Sequence, residues 1–218
     1  MLNQIIHGDC KKIFPQIRNK YSKILLIFDP PYNIGFKRYE DHGNIKYKDN
    51  LSDEEYIDLL KNFRDIPAAV IQYPEEMMKY VVPAMGQPEK VLAWCYPSNI
   101  GRKFRLINIY KRKPNFSKIR QPYKNPTDKR VAKRIEAGYN GAPLYDWFSD
   151  INLVKNVSEE KTIHPCQIST KLIKRLILLL SEDKDEIIVD PFVGSGTTAI
   201  ASIMTDRNYV GIEISKKY

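Results

Sequence analysis

Residues 186–198 read Glu186-Ile187-Ile188-Val189-Asp190-Pro191-Phe192-Val193-Gly194-Ser195-Gly196-Thr197-Thr198. An apolar run of strand length enters a glycine turn and then a stretch with helical character over 197–204. Gly194 and Gly196 allow a tight turn and close approach of backbone to a ligand, and the N–H groups opening the next helix face that ligand. No lysine follows the glycines, which argues against a phosphate-gripping loop. The next apolar run, 208–212, ends at Glu213. A carboxylate there suits hydrogen bonds from both hydroxyls of a ribose, the alternative being a surface acid beside Lys216 and Lys217. This half of the chain therefore suits a nucleotide-like cofactor.

A second strand-like run, 23–28, closes on Asp29-Pro30-Pro31-Tyr32. Both motifs sit where a strand ends, which is where open α/β sheets place their ligands. The tetrapeptide suits a planar amine, a poor nucleophile because its lone pair is delocalised into the ring. The Asp29 carboxylate and the Pro30 carbonyl can accept its two hydrogens and pull the nitrogen towards tetrahedral geometry. Two prolines fix φ and keep those acceptors in place. Tyr32 is expected to stack on the ring that carries the amine. The competing reading is an ordinary strand-ending turn.

Working outward, short strands are expected over 2–6, 90–96 and 104–110. Helices are expected over 11–18, limited by Pro15, over 53–63 behind the capping box Ser52-Asp53-Glu54-Glu55, and over 74–82. Residues 33–50 read as a mobile polar loop and 111–125, with Pro114 and Pro122, as an irregular insertion. A basic helix is expected over 126–137, stopping at Gly138. Residues 168–180 carry Ile168, Leu172, Leu176 and Leu179 at helical spacing. Alternating strands and helices predict an α/β fold with a mostly parallel, doubly wound sheet.

The composition narrows the class. In 218 residues, 43% hydrophobic, there is material for one core with a sizeable insertion. Cys10, Cys95 and Cys166 are scattered, as are His7, His42 and His164, so neither a disulfide framework nor a zinc site is expected. The start of the chain carries no signal-peptide pattern, and the longest apolar run, 176–180, is too short to span a membrane. A cytoplasmic location is expected. The net charge of +9 is concentrated: residues 102–134 hold 13 Lys or Arg and one acid, Asp128, while the remainder is nearly neutral. Such a stripe fits phosphate contacts, with Arg112, Lys113, Lys118, Arg120, Lys124, Lys129 and Arg130 as candidates. A solvated lysine-rich face is the alternative. Phe104, Tyr110, Phe116 and Tyr123 interleave with these charges, Phe104 and Tyr110 being assigned to the core. Trp94 is assigned to the core and Trp147 to no role.

Taken together, DPFVGSGTT followed by GIE resembles the S-adenosylmethionine loop and ribose acid of the DNA amino-methyltransferases, and DPPY at 29–32 resembles their catalytic tetrapeptide. The run 162–167, Thr-Ile-His-Pro-Cys-Gln, is similar to the motif that grips the methionine end of the cofactor. His7-Gly8-Asp9-Cys10 is similar to the acidic motif that meets its adenine. The order, tetrapeptide before glycine loop, is that of the beta group. The resemblance covers most of the chain outside 34–160. After His164-Pro165 the family usually continues Thr-Gln-Lys-Pro, where this chain has Cys166-Gln-Ile-Ser-Thr170. Pro165-Cys166-Gln167 also matches the nucleophile tripeptide of carbon methyltransferases, a coincidence on this reading, with Cys166 outside the base pocket.

The resemblance implies a circularly permuted Rossmann-like methyltransferase fold whose termini lie close together. It implies a catalytic half at 1–110, a small basic target-recognition insertion at 111–160 and a cofactor-binding half at 161–218. S-adenosylmethionine would be held by Asp9, Cys10, Asp29, His164, Pro165, Gln167, Asp190, Pro191, Phe192, Gly194, Ser195, Gly196, Thr197, Thr198 and Glu213. Catalysis would rest on Asp29, Pro30, Pro31 and Tyr32, without a metal. Double-stranded DNA is the implied partner, its target base extruded from the duplex at a cost of a few kcal/mol. The loop at 36–50 is a candidate to close over that base. The Asp of DPPY favours adenine N6, with cytosine N4 as the alternative and an RNA or protein-amide substrate, or a catalytically dead DNA-binding module, as further classes. The resemblance points to a homodimer and leaves open whether a cognate restriction endonuclease accompanies the chain.

Overall fold

The computed structural model describes residues 1–33, 50–97, 101–155, 158–164 and 166–216. In chain order the elements are β1 (Gln4–His7), α1 (Cys10–Lys20), β2 (Ile24–Phe28), α2 (Asp53–Lys61), β3 (Ala68–Gln72), α3 (Pro74–Glu76), α4 (Val82–Met85), β4 (Lys90–Cys95), β5 (Phe104–Tyr110), β6 (Arg120–Gln121), α5 (Lys129–Glu136), β7 (Ala142–Pro143), β8 (Trp147–Phe148), α6 (Thr170–Leu180), β9 (Ile187–Asp190), α7 (Thr197–Met204) and β10 (Tyr209–Glu213). A π-helical turn, Met77–Val81, joins α3 to α4.

The main sheet has the order β1-β10-β9-β2-β3-β5-β4-β8. Its first five strands are parallel, and β5 runs antiparallel to both β3 and β4. The first strand of the chain pairs with the last, Gln4 opposite Val210 and His7 opposite Glu213. Adjacency of the two chain ends is what a permuted Rossmann-like fold requires. The fold class is thus the one expected.

The central strands are buried on both faces, which is why they read as unbroken apolar runs rather than alternating ones. Ile24, Leu26 and Phe28 enter one core layer with Phe14 and Ile17 of α1 and Leu59 and Leu60 of α2. Leu25 and Ile27 point the other way, to Leu172, Leu176 and Leu179 of α6. Each fully buried aliphatic side chain of these layers contributes about 1.5–3 kcal/mol.

Several local expectations change. Pro15 lies inside α1, which continues to Lys20; Phe14 and Ile17, buried on either side of it, hold the helix across the missing N–H. Strand β3 went unread, although Ala68–Gln72 is an apolar run bounded by Pro67 and Pro74. The segment 111–160 does not form a separate layer throughout. Its β8 pairs with β4, and Phe148 and Ile151 enter the second core layer. Trp94 is buried, its Nε1 donating to the Ile151 carbonyl at 2.8 Å. Tyr110 is buried as expected, but Phe104 is 43% exposed because it opens β5 at the rim. The expected loop at 33–50 lies almost wholly outside the described residues.

Candidate active site

Strands β2 and β9 are parallel neighbours, with Leu26 opposite Val189. Their carboxyl ends therefore deliver the tetrapeptide and the glycine loop to one rim of the sheet. Both line a single cavity of about 540 Å³. Of the residues singled out from the sequence, Asp9, Cys10, Asp29, Pro30, Pro31, Tyr32, His164, Asp190, Pro191, Phe192, Gly194, Ser195, Thr197, Thr198 and Glu213 line it.

The glycine loop is hung on β10. The Val193 N–H donates to the Ile212 carbonyl at 3.0 Å, and the Gly194 N–H donates to Glu213 Oε2 at 2.9 Å. The other oxygen of Glu213 accepts the Ser215 N–H at 2.8 Å. Its carboxylate is thus fixed in orientation while keeping lone pairs for a ligand. Gly194 has φ +50°, and a Cβ there would stand 2.9 Å from His164 Nε2, so only glycine fits beneath the imidazole. Across the cavity, Asp9 caps α1 by accepting the Lys11 N–H at 2.9 Å. Burial, with Asp9 beside it, pushes the Cys10 thiol up to about 12, so Cys10 acts as a small apolar wall.

Three expected cofactor contacts do not line the cavity or fall outside what is described. Gln167 is absorbed by its own turn: Oε1 accepts the Thr162 N–H at 2.8 Å and Oγ1 at 3.1 Å, and Nε2 donates to the Glu160 carbonyl at 2.6 Å. Gly196 is the N-cap of α7 at φ +80° and shapes the turn from behind. Pro165 lies outside the described residues. Cys166, expected outside the base pocket, lines the same cavity as Asp29 and Tyr32.

The tetrapeptide is held by residues distant in sequence. Tyr56 of α2 hydrogen-bonds the Pro31 carbonyl. Gln72, at the end of β3, reaches the Pro30 carbonyl with Nε2 at 3.5 Å, its Oε1 fixed by the Tyr73 N–H at 2.9 Å. Asp29 Oδ2 accepts from Tyr32 Oη at 3.0 Å and from Arg105 Nη1 at 3.2 Å. Asp29 Oδ1 is buried and has no hydrogen-bond partner among the described residues. The Tyr32 ring meets Tyr73 edge-on, centroids 5.2 Å apart.

The rim is rich in carboxylates. Burial pushes Asp29 up to about 6, opposed by Arg105 and the Tyr32 hydroxyl. Burial pushes Asp190 up to about 7, with Asp29 and Glu213 adding to it against the hydrogen bonds from Thr198 and the Phe192 N–H. The charges of Asp29 and Glu213 felt at Asp190 mark a place that favours a positive charge. No group of three or more potential metal ligands occurs among the described residues.

The basic segment divides sharply. Arg112 is buried against Glu186 at 2.6 Å and bonds the Leu180 carbonyl, and Lys118 reaches the Ser181 carbonyl at 2.5 Å. Both contacts hold the carboxyl end of α6. Arg102 pairs with Glu76 at 2.9 Å. Lys113, Lys118, Arg120, Lys124, Lys129 and Arg130 are exposed, whereas Arg112 is mostly covered. No helix among the described residues is long and apolar enough to cross a membrane.

A family model described as a DNA methylase, for N6 and N4 methyltransferases, matches residues 24–218. The chain belongs to this DNA methylase family. It is 28% identical over 243 residues to the type II methyltransferase M.BglII of Bacillus subtilis, spanning 100% of this chain and 67% of that one. The M1.HpyAVI–SAM complex superimposes with a TM-score of 0.62 at 21% identity, covering 99% of this chain and 94% of the other. The cytosine-N4-specific PvuII DNA methyltransferase superimposes with a TM-score of 0.64 at 14% identity, covering 99% and 83%. At such identities the solved structures establish the shared fold. Sequence reading missed Tyr56, Gln72 and Arg105. For Arg105 a signal existed, since it interrupts the apolar face that Ile107 and Ile109 continue.

Proposed function

We propose that this chain transfers a methyl group from S-adenosylmethionine to an exocyclic amine of a DNA base. The observation that carries the reading is one cavity lined by both Asp29, whose buried Oδ1 has no partner among the described residues, and the glycine loop tied to Glu213.

The cavity fits the cofactor on three counts. Glu213 keeps acceptor capacity for ribose hydroxyls, Gly194 and Ser195 line the cavity at the turn, and Asp29, Asp190 and Glu213 favour a cationic group. When bound, S-adenosylmethionine supplies an electrophilic methyl on a sulfonium. The chain's own residues do the rest. Asp29 Oδ1 accepts one amine hydrogen and the Pro30 carbonyl the other, so the lone pair leaves conjugation. Tyr32 supplies a ring against which the extruded base stacks. Phe192 and Ile168 narrow the cavity and exclude water.

Adenine N6 is the reading we favour, on the Asp that opens the tetrapeptide. Cytosine N4 is the alternative, and it gains support from the likeness in fold to a cytosine-N4 enzyme. A protein-amide substrate ranks lower because the net charge of +9 suits a polyanion, and RNA ranks lower because the matching family is one of DNA methylases. We assign target reading to 111–160, through Lys113, Arg120, Lys124, Lys129 and Arg130, and cytoplasmic location with it. A homodimer and a companion endonuclease belong to the same reading. The chain spans about two thirds of the length of M.BglII, so the whole protein's activity is part of this proposal.

The test is expression in a bacterial host lacking its own methylases, followed by single-molecule sequencing of host DNA. A modified base in one sequence context is expected. Unmodified DNA, with soluble protein present, would reject the reading. Exchanging 111–160 for a relative's segment should then change the methylated context.

A further inference from the structure

We propose that Arg105 is a positioning residue of the amine pocket: it holds Oδ2 of Asp29 and thereby leaves Oδ1 to accept the target amine. The inference rests on the methyl-transfer reading above. Its basis is where an antiparallel strand delivers its first residues. β5 runs against β3, with Leu106 opposite Gln72, so the start of β5 lies at the rim where the parallel strands end. Arg105 therefore arrives at the tetrapeptide from a strand that carries no motif.

The guanidinium is built into this place. Arg105 is 5% exposed and shares a face of β5 with Ile107 and Ile109, both fully buried. A cation on such a face is costly unless paired. Its pair is Asp29, at 3.2 Å. Its guanidinium carbon lies 4.8 Å from the Tyr73 ring centroid, 5.2 Å from that of Tyr32 and 5.5 Å from that of Trp94. Rings on three sides fix the fork, and the fork fixes one oxygen of the carboxylate. Tyr32 donates to that same oxygen. Among the described residues Oδ2 has two donors and Oδ1 none, an asymmetry that orients the carboxylate. Among the same residues, the titratable groups facing Asp29 are Arg105, Tyr32 and Asp190, and those facing Arg105 are Asp29, Tyr32, Tyr73 and Tyr96. Among them only Arg105 favours the ionised carboxylate by charge. Burial raises Asp29 to about 6 even with Arg105 and the Tyr32 hydroxyl opposing it.

The experiment is single-turnover methyl transfer from S-adenosylmethionine to a duplex carrying the context found in host DNA, followed from pH 5 to 9. Arg105→Gln is expected to slow transfer about a hundredfold at pH 7 and to move the acid limb of the rate profile upward by roughly one to three pH units. S-adenosylmethionine affinity and the melting temperature are measured alongside. In an Asp29→Asn background, Arg105→Gln should add little further loss, because its effect runs through the carboxylate. If the Gln variant fails to fold, Arg105→Lys carries the test. It keeps the charge, so the acid limb stays in place, but it loses the fork, so transfer slows about tenfold. An unmoved acid limb in a folded Gln variant, an equal loss in the Asn background, or a Lys variant at wild-type rate would each overturn the inference. If the unaltered chain methylates no DNA, the functional reading fails instead; if it does and Arg105→Gln is undiminished, only this inference fails.

Discussion

Glu213 and Gly194, 19 positions apart, are joined by a 2.9 Å hydrogen bond from the glycine N–H to the carboxylate. The acid at the end of β10 therefore does two things. It tethers the glycine loop, and it presents its remaining lone pairs at the cavity. Glu213→Ala removes both, and it should weaken S-adenosylmethionine binding by roughly 1.5–3 kcal/mol, the range for a hydrogen bond to a charged group. Glu213→Gln keeps one acceptor and should lose less. Calorimetric titration with the cofactor measures both; unchanged affinity in the Ala variant would remove Glu213 from the cofactor site.

Asp29→Asn should slow transfer about a thousandfold, to a residual rate still measurable in single turnover, with the cofactor still bound. Asp29→Ala carries a second cost. It leaves Arg105, whose side chain is 6% exposed, as a buried cation without its partner. Breaking one side of a buried pair costs about 3–5 kcal/mol. The Ala variant should therefore melt well below the parent, with the Asn variant, which keeps an acceptor for the guanidinium but not the charge, between them. An Ala variant that melts with the parent would mean that the pair contributes nothing to the fold.

Asp29, at about 6, and Asp190, at about 7, sit above an unfolded carboxyl near 4. A raised carboxyl binds more protons in the native state, so its contribution to stability is full below the unfolded value and is lost as pH rises through the folded one. Ligand-free protein should thus melt higher near pH 5 than near pH 7.5. Surface acids held low by partners, such as Asp183 by Lys23 and Asp150 by Arg175, stay ionised across that window. Asp190→Asn should flatten the dependence in a melting series at fixed ionic strength; a series as steep as the parent's would sink this account.

Lys124→Ala and Lys129→Ala should each weaken DNA binding with little dependence on sequence, and each should reduce the slope of log affinity against log salt by about one. Arg112→Ala should behave differently. Its side chain is 11% exposed and is paired with Glu186, so the loss should appear as a lowered melting temperature. A folded, fully stable Arg112→Ala protein that binds DNA poorly would return Arg112 to the phosphate-binding set.

What could be read directly was whatever is local in the chain. Runs 24–28 and 187–190 are apolar because they are covered on both faces, and each ends in a motif that is contiguous. Strand and helix alternation gave a doubly wound sheet, and the resemblance of these motifs, in this order, to the beta group implied its permutation. The capping box at Ser52 fixed the start of α2 for the same reason, since Ser52 and Glu55 lie within one turn. β3 escaped because no motif marks it, and Gln167 misled because its amide is spent on Thr162 and Glu160 nearby.

By itself the chain determined the sheet, its handed-over ends and the two rim motifs, because periodicity and turn chemistry act between neighbours. Only the tertiary structure decided which charges of 102–134 meet water. Arg102 finds Glu76, Arg105 finds Asp29 and Arg112 finds Glu186, at separations of 26, 76 and 74 residues. A guanidinium in a sequence looks the same whether its partner is a phosphate in solvent or a carboxylate across the sheet. The choice is made by strand direction: β5 runs backwards, and so brings a cation to the very oxygen that the tetrapeptide must orient.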